Sequence, residues 1–155
     1  MGIRMRIALF QPDIPQNVGA CIRLSACFGV ELHVIEPTGF TFDDRAMKRA
    51  ALDYGPLSHM TRHASWDNFL RDKPDGRLVL LTTKGATPLP DFEFRNDDIL
   101  LFGKESKGAP DYVHDAANAR VVVPLKPEAR SLNLSVTAGI ALWEGLSQTG
   151  HFKLG

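Results

Sequence analysis

Apolar residues in this chain fall into short unbroken runs, separated by stretches whose apolar positions recur at helical spacing. "RIALFQ" (6–11) is such a run, ended by Pro12, and predicts a strand. "ELHVIEP" (31–37), "RLVLLTT" (77–83), "DILLFG" (98–103) and "ARVVVPL" (119–125) predict four more. Between them, "NVGACIRLSACFG" reads as a helix with Asn17 as its cap and Gly29 at its stop position. "FDDRAMKRAALDYG" reads as a second helix, with Asp43 as cap and Gly55 beyond the end. Ser65 opens a short helix, "SWDNFLRDK", that Pro74 stops. A last helix is predicted over 134–148, where Leu134, Ala138, Ala141, Leu142 and Leu146 share one face. Runs such as "LVLL" and "VVV" lack the alternation of a half-exposed sheet. The class expected is therefore α/β, a mostly parallel sheet with helices on both faces. Ligands of such sheets gather beyond the carboxyl ends of strands, which singles out the loops at 11–17, 82–85, 103–108 and 125–133.

Composition narrows the classes. A chain of 155 residues, 44% hydrophobic and 23% charged, is expected to form one domain spanning 1–155 with a sizeable core. Formal net charge is zero, so any nucleic-acid site must be a local basic patch. No apolar stretch approaches the roughly 18 residues of a membrane span, and "MGIRMRIALFQPDIPQ" lacks the layout of a signal peptide. Arg6 stands where a myristoylation signal wants Ser or Thr. Cys21 and Cys27 lie on different sides of one predicted helix, so a disulfide is not expected. Two small buried hydrophobes in a cytoplasmic protein are the plain reading.

Four clusters bear chemistry. "LLFGKESKGAP" (100–110) places Gly103 and Gly108 five apart after an apolar run, like a phosphate cradle. A triphosphate loop needs Lys and Ser or Thr after its last glycine, and Ala109 and Pro110 stand there instead. The glycines then serve another ligand or only a tight turn. "PLKPEARSLNLSVTAG" (124–139) offers Arg130, Ser131, Asn133 and Ser135 around a helix start, either as a polar binding loop or as simple caps. "PDIPQNVGACIRLSACFG" (12–29) carries Asn17 and Arg23, the arginine between Ile22 and Leu24, either with a specific phosphate or hydroxyl partner or as a plain surface arginine. Arg45, Lys48 and Arg49 share a helix face, and with Arg62, His63, Arg4 and Arg6 they could form a phosphate-contacting patch or remain solvated charge. His59 and His63 are four apart, but no carboxylate or cysteine completes a metal set, so they read as surface or RNA-contacting residues.

Three of these clusters, in this order, resemble the motifs of the SPOUT class of methyltransferases across nearly the whole chain. "IPQNVGACIRLSACFG" is similar to the first motif, "LLFGKESKGAP" to the second (FGxExxGxP) and "VVVPLKPEARSLNLSVTAG" to the third. "LHVIEPTGFTFDDRAMKRAALDY" and "LTTKG" are similar to the small bacterial tRNA 2′-O-methyltransferases that act on the wobble nucleotide. Departures are Ala109 where close relatives often have Leu, and Ala20 and Cys21 where many have Asn and Ile.

The resemblance implies a C-terminal trefoil knot, S-adenosylmethionine as methyl donor, tRNA as substrate, no metal, and a homodimer with its sites near the subunit interface. It implies a donor site made of Leu81, Thr82, Gly103, Val123, Leu125, Ser131 and Leu132, supported by Gly108 and Asn133, with Glu105 bracing the loop. It places Arg23 at the reacting hydroxyl; because a guanidinium stays protonated, Arg23 is expected to bind the adjacent phosphate and orient the 2′-oxygen, with service as the base the alternative. Asn17, Arg45, Lys48, Arg49, Lys104, Lys107 and Arg130 are the expected RNA contacts. Ribosomal-RNA relatives usually carry a further RNA-binding domain, so a chain of this layout would bind tRNA with this domain and its dimer mate. Action on another tRNA or ribosomal site, or RNA binding without catalysis, are the alternatives.

Overall fold

The computed structural model describes residues 3–42, 45–51, 59–129 and 131–152. Seven strands, β1 (Arg6–Phe10), β2 (Glu31–Ile35), β3 (His59–His63), β4 (Leu78–Leu81), β5 (Thr87–Pro88), β6 (Ile99–Phe102) and β7 (Ala119–Val122), form one sheet in the order β3-β2-β1-β6-β4-β7-β5. Every pairing is parallel. The helices are α1 (Pro15–Phe28), α2 (Arg45–Ala51), α3 (Trp66–Asp72), α4 (Asp111–Ala116) and α5 (Leu134–Gln148).

Successive residues of a strand point to opposite faces, and both faces are apolar here. Ile7 and Leu9 of β1 join Leu100 and Phe102 of β6 in one core, with Val18 and Ile22 of α1 and Ala138, Leu142 and Leu146 of α5. Ala8 and Phe10 join Ile99 and Leu101 in a second core, with Trp66 and Phe69 of α3 and Val113 of α4. This two-sided burial is why the central strands read as continuous hydrophobic runs.

Several predicted boundaries hold. Gly29 ends α1 in the left-handed region at φ 69°, with its main-chain N–H donating to Ala26 and Ser25 carbonyls. Ser65 caps α3 by accepting from the Asn68 N–H at 3.1 Å, and α5 spans the predicted 134–148. Others change. Asn17 does not cap α1: the helix begins at Pro15, whose fixed φ suits a first turn, and Asn17 is inside it. Asp43 and Gly55 lie outside the described residues.

His59 and His63 are on strand β3, and His63 is buried, its Nε2 2.9 Å from His33 Nδ1. Two members of the seven-residue basic set already have other partners. Arg6 binds Glu31 and the Arg4 carbonyl, and Arg62 binds Glu36 while lying over the Phe42 ring. Arg45, Lys48 and Arg49 are exposed on α2. Of the two cysteines only Cys21 is buried. Burial, with Glu105 nearby, pushes its thiol up to about 12. Among the described residues no helix is long and apolar enough to cross a membrane.

Candidate active site

The order reversal beside β1 leaves β6 and β4 in the middle of the sheet, and their carboxyl ends open into a cleft of about 550 Å3. It is lined by Leu81 and Thr82 at the end of β4, Phe102 and Gly103 at the end of β6, and residues 121–123 at the end of β7. Two further loops contribute to it, the first through Gly103, Lys104, Glu105, Lys107 and Gly108 and the second through Leu125, Ser131, Leu132 and Asn133.

The first loop is held in shape by its own main chain. Lys104 N donates to Gly108 O at 3.2 Å, and Gly108 N donates to Lys104 O at 2.8 Å, closing a five-residue loop. Gly108 supplies φ +68° for this reversal, a value that side-chain-bearing residues rarely adopt. Gly103 is needed for a different reason. A Cβ there would stand 2.4 Å from Ala109 N and 2.5 Å from Gly108 C, so the chain folds back directly against it.

Glu105 ties this loop to α1. Its Oε1 accepts from Asp13 N at 2.8 Å, and its Oε2 accepts from Ile14 N and Asn17 Nδ2, each at 3.0 Å. The carboxylate thus caps from a distance a helix whose own cap position, Ile14, has no side-chain acceptor. Asp13 returns the contact: its Oδ2 accepts from Ser106 Oγ at 2.5 Å and from Ser106 N at 3.2 Å. The Ser106 hydroxyl holds the Asp13 carboxyl below its ordinary value, against desolvation by burial, with the Ser106 main-chain N–H, Lys104 and Lys107 adding to the lowering. Gln11, at φ 46°, makes the bend that brings residues 12–14 to this meeting point.

The second loop ends in a cap. Asn133 Oδ1 accepts from Ser135 N at 2.9 Å and from Ser135 Oγ at 2.6 Å, fixing the start of α5. Leu125 and Leu132 are exposed here, apolar side chains on the lip of the cleft.

All ten residues expected at the donor site, Leu81, Thr82, Gly103, Glu105, Gly108, Val123, Leu125, Ser131, Leu132 and Asn133, line this cleft. So do Asn17, Lys104 and Lys107 from the expected RNA set. Arg23 does not line it. That arginine is exposed on α1, because neighbours along a helix point about 100° apart and the burial of Ile22 does not carry over to it. Arg45, Lys48 and Arg49 are likewise outside the cleft, and Arg130 lies outside the described residues. Sequence reasoning missed Lys84, His114 and Thr137, which also line it. The "LTTKG" stretch pointed toward Lys84; His114 had no signal, since α4 itself was not predicted. Among the described residues no group of His, Cys, Asp and Glu is placed to hold a metal ion.

Residues 4–143 match the SpoU rRNA Methylase family. The chain is 51% identical over 146 residues to a tRNA (cytidine(34)-2′-O)-methyltransferase of Beijerinckia indica, covering 93% of this chain and 91% of that protein. It is 45% identical over 150 residues to one of Ancylobacter novellus, covering 96% and 95%. A solved structure described as giving insight into 2-OH methylation of C/U34 on tRNA superposes with a TM-score of 0.90 at 38% identity, covering 97% of this chain and 99% of that one.

Proposed function

The chain belongs to the SpoU rRNA Methylase family, and from that premise we propose that it methylates the ribose 2′-oxygen of the wobble nucleotide in tRNA, with S-adenosylmethionine as methyl donor. The observation that carries the reading is the 51% identity to a relative of that activity over 93% of this chain and 91% of that protein. The narrower substrate is favoured over other tRNA or ribosomal sites by the same relatives and by the C/U34 structure.

The cleft suits the donor. Its volume of about 550 Å3 falls within the roughly 300–1,000 Å3 of small-molecule sites. Gly103, Gly108 and Thr82 line it beside the aliphatic Leu81, Val123 and Leu125, a mixed lining that fits a nucleoside's flat base and its hydroxyls. Gly103, where a Cβ would strike main chain, keeps the loop close over that space. When bound, the donor supplies an electrophilic methyl group for in-line displacement by the ribose oxygen. The protein's share is positioning, which accounts for large rate factors when two reactants are held at attack distance. Glu105 fixes loop 103–108 against the first turn of α1, tying the wall of the cleft to the helix that carries Arg23. Arg23 binds the phosphate beside the target ribose and orients its 2′-hydroxyl. A guanidinium keeps its proton at working pH, so this role fits it better than that of a base. Lys104 and Lys107, at the rim, meet further phosphates.

A homodimer and a knotted C-terminal segment belong to the same reading. Val136, Ile140 and Trp143 lie at i, i+4 and i+7 on α5 and are 49%, 39% and 53% exposed. An apolar helix face of this kind suits a second copy of the chain. Trp143 is held in place by stacking on Phe152, ring centroids 4.2 Å apart.

Arg23→Ala separates the roles. Methyl transfer to tRNA should fall by about a hundredfold or more while affinity for S-adenosylhomocysteine stays as in the wild type. Transfer at the wild-type rate would remove Arg23 from the reaction; no binding of S-adenosylhomocysteine by the wild type would remove the donor assignment.

A further inference from the structure

His114 is a buried imidazole in the cleft wall with no role in the account above. It is 7% exposed, lies on α4 and lines the cleft. Its main chain is engaged: the N–H donates to Pro110 O at 3.2 Å, and the carbonyl accepts from Arg120 Nη2 at 3.1 Å. Among the described residues no hydrogen bond reaches its ring, whereas the buried rings of His33 and His63 bond each other. Neither ring nitrogen is sealed from solvent, so the ring remains open to a hydrogen bond from a group that enters the cleft.

We propose that His114 is a further donor-contacting residue of the cleft, its neutral imidazole hydrogen-bonding the S-adenosylmethionine that the cleft holds. This rests on the methyl-donor reading of the site. The charges around the ring favour the neutral form. Arg120 of β7 and Lys84, after β4, face it as cations, and Asp111 and Asp115 on its own helix oppose them. Burial, then Arg120 and Lys84, lower its pKa from the ordinary 6.5, with the two aspartates pulling the other way. A neutral ring offers one donor and one acceptor, but a protonated ring offers donors only. Protonation would also add a third positive charge beside Lys84 and Arg120, in a cleft that receives a sulfonium cation. Donor binding is therefore expected to weaken as pH falls and His114 takes up a proton.

The test is calorimetric titration with S-adenosylhomocysteine, which has no group titrating between about pH 5.5 and pH 8, on wild type, His114→Leu and His114→Gln. The wild type should bind progressively more weakly toward pH 5.5. His114→Leu should bind about three- to tenfold more weakly than wild type at pH 8, the loss of one hydrogen bond, and should show no pH slope. His114→Gln cannot titrate and should also be flat, and it carries the test if the leucine variant fails to fold. A flat wild-type profile, wild-type affinity in His114→Leu at pH 8, or a wild-type slope in either variant overturns the proposal. Wild type that binds no S-adenosylhomocysteine at any pH overturns the donor reading itself, a distinct outcome.

Discussion

Replacing Glu105 with alanine tests whether one carboxylate joins the glycine loop to α1. Three bonds go: Asp13 N, Ile14 N and Asn17 Nδ2 all lose their acceptor. Losing a helix cap costs about 1 kcal/mol. Asn17 is only 4% exposed, so its amide is left buried without that acceptor, a further penalty of about 1–3 kcal/mol. The expected loss is about 2–4 kcal/mol in the free energy of unfolding, read from urea denaturation followed by tryptophan fluorescence or circular dichroism. Glu105→Gln keeps one carbonyl acceptor and should lose about half as much. Adding Asn17→Ala to Glu105→Ala removes the orphaned amide, so the double variant should lose less than the sum of the singles by about 1 kcal/mol. Glu105→Ala within about 0.5 kcal/mol of wild type, or strict additivity with Asn17→Ala, would refute the tie.

Gly103→Ala must push its new methyl against Ala109 N and Gly108 C, so affinity for S-adenosylhomocysteine should drop at least about tenfold, with a stability loss of about 1–3 kcal/mol; wild-type binding would show that the loop can yield. Burial lowers the pKa of His33 and of His63 from 6.5, so the folded protein binds fewer protons there than the unfolded chain. Their contribution to stability is complete above about pH 6.5 and is lost as pH falls through that value toward the folded pKa. Imidazole resonances followed by NMR should show both rings titrating below 6.5, and a midpoint at or above it would contradict the assignment. Ile140→Glu with Trp143→Glu should convert a dimer to monomers in sedimentation velocity, whereas an unchanged sedimentation coefficient would place the subunit contact elsewhere.

The strands buried on both faces were legible because an unbroken apolar run has few other uses. Edge strands were not. His59–His63 alternates polar side chains with a single deeply buried ring, and β5 is two residues long. The six-residue α4 follows Pro110 without an apolar period long enough to register, and with it His114 escaped notice. For the cleft, the motifs brought forward residues of separate segments that the fold gathers around one cavity. Periodicity could not show that Glu105 would meet Asn17 across 88 positions of sequence, or that this meeting would replace Asn17's expected cap. Arg23 shows the converse limit. Its apolar neighbours in sequence are buried or half-buried, and helical geometry leaves the arginine between them exposed.

The most direct test of the central claim is to incubate the protein with methyl-labelled S-adenosylmethionine and bulk tRNA, then map the labelled nucleosides by nuclease digestion and mass spectrometry. The account expects label on the ribose 2′-oxygen of the wobble nucleotide, cytidine or uridine, lost in Arg23→Ala. Label on a base, at another tRNA position, or absent from tRNA altogether would contradict it.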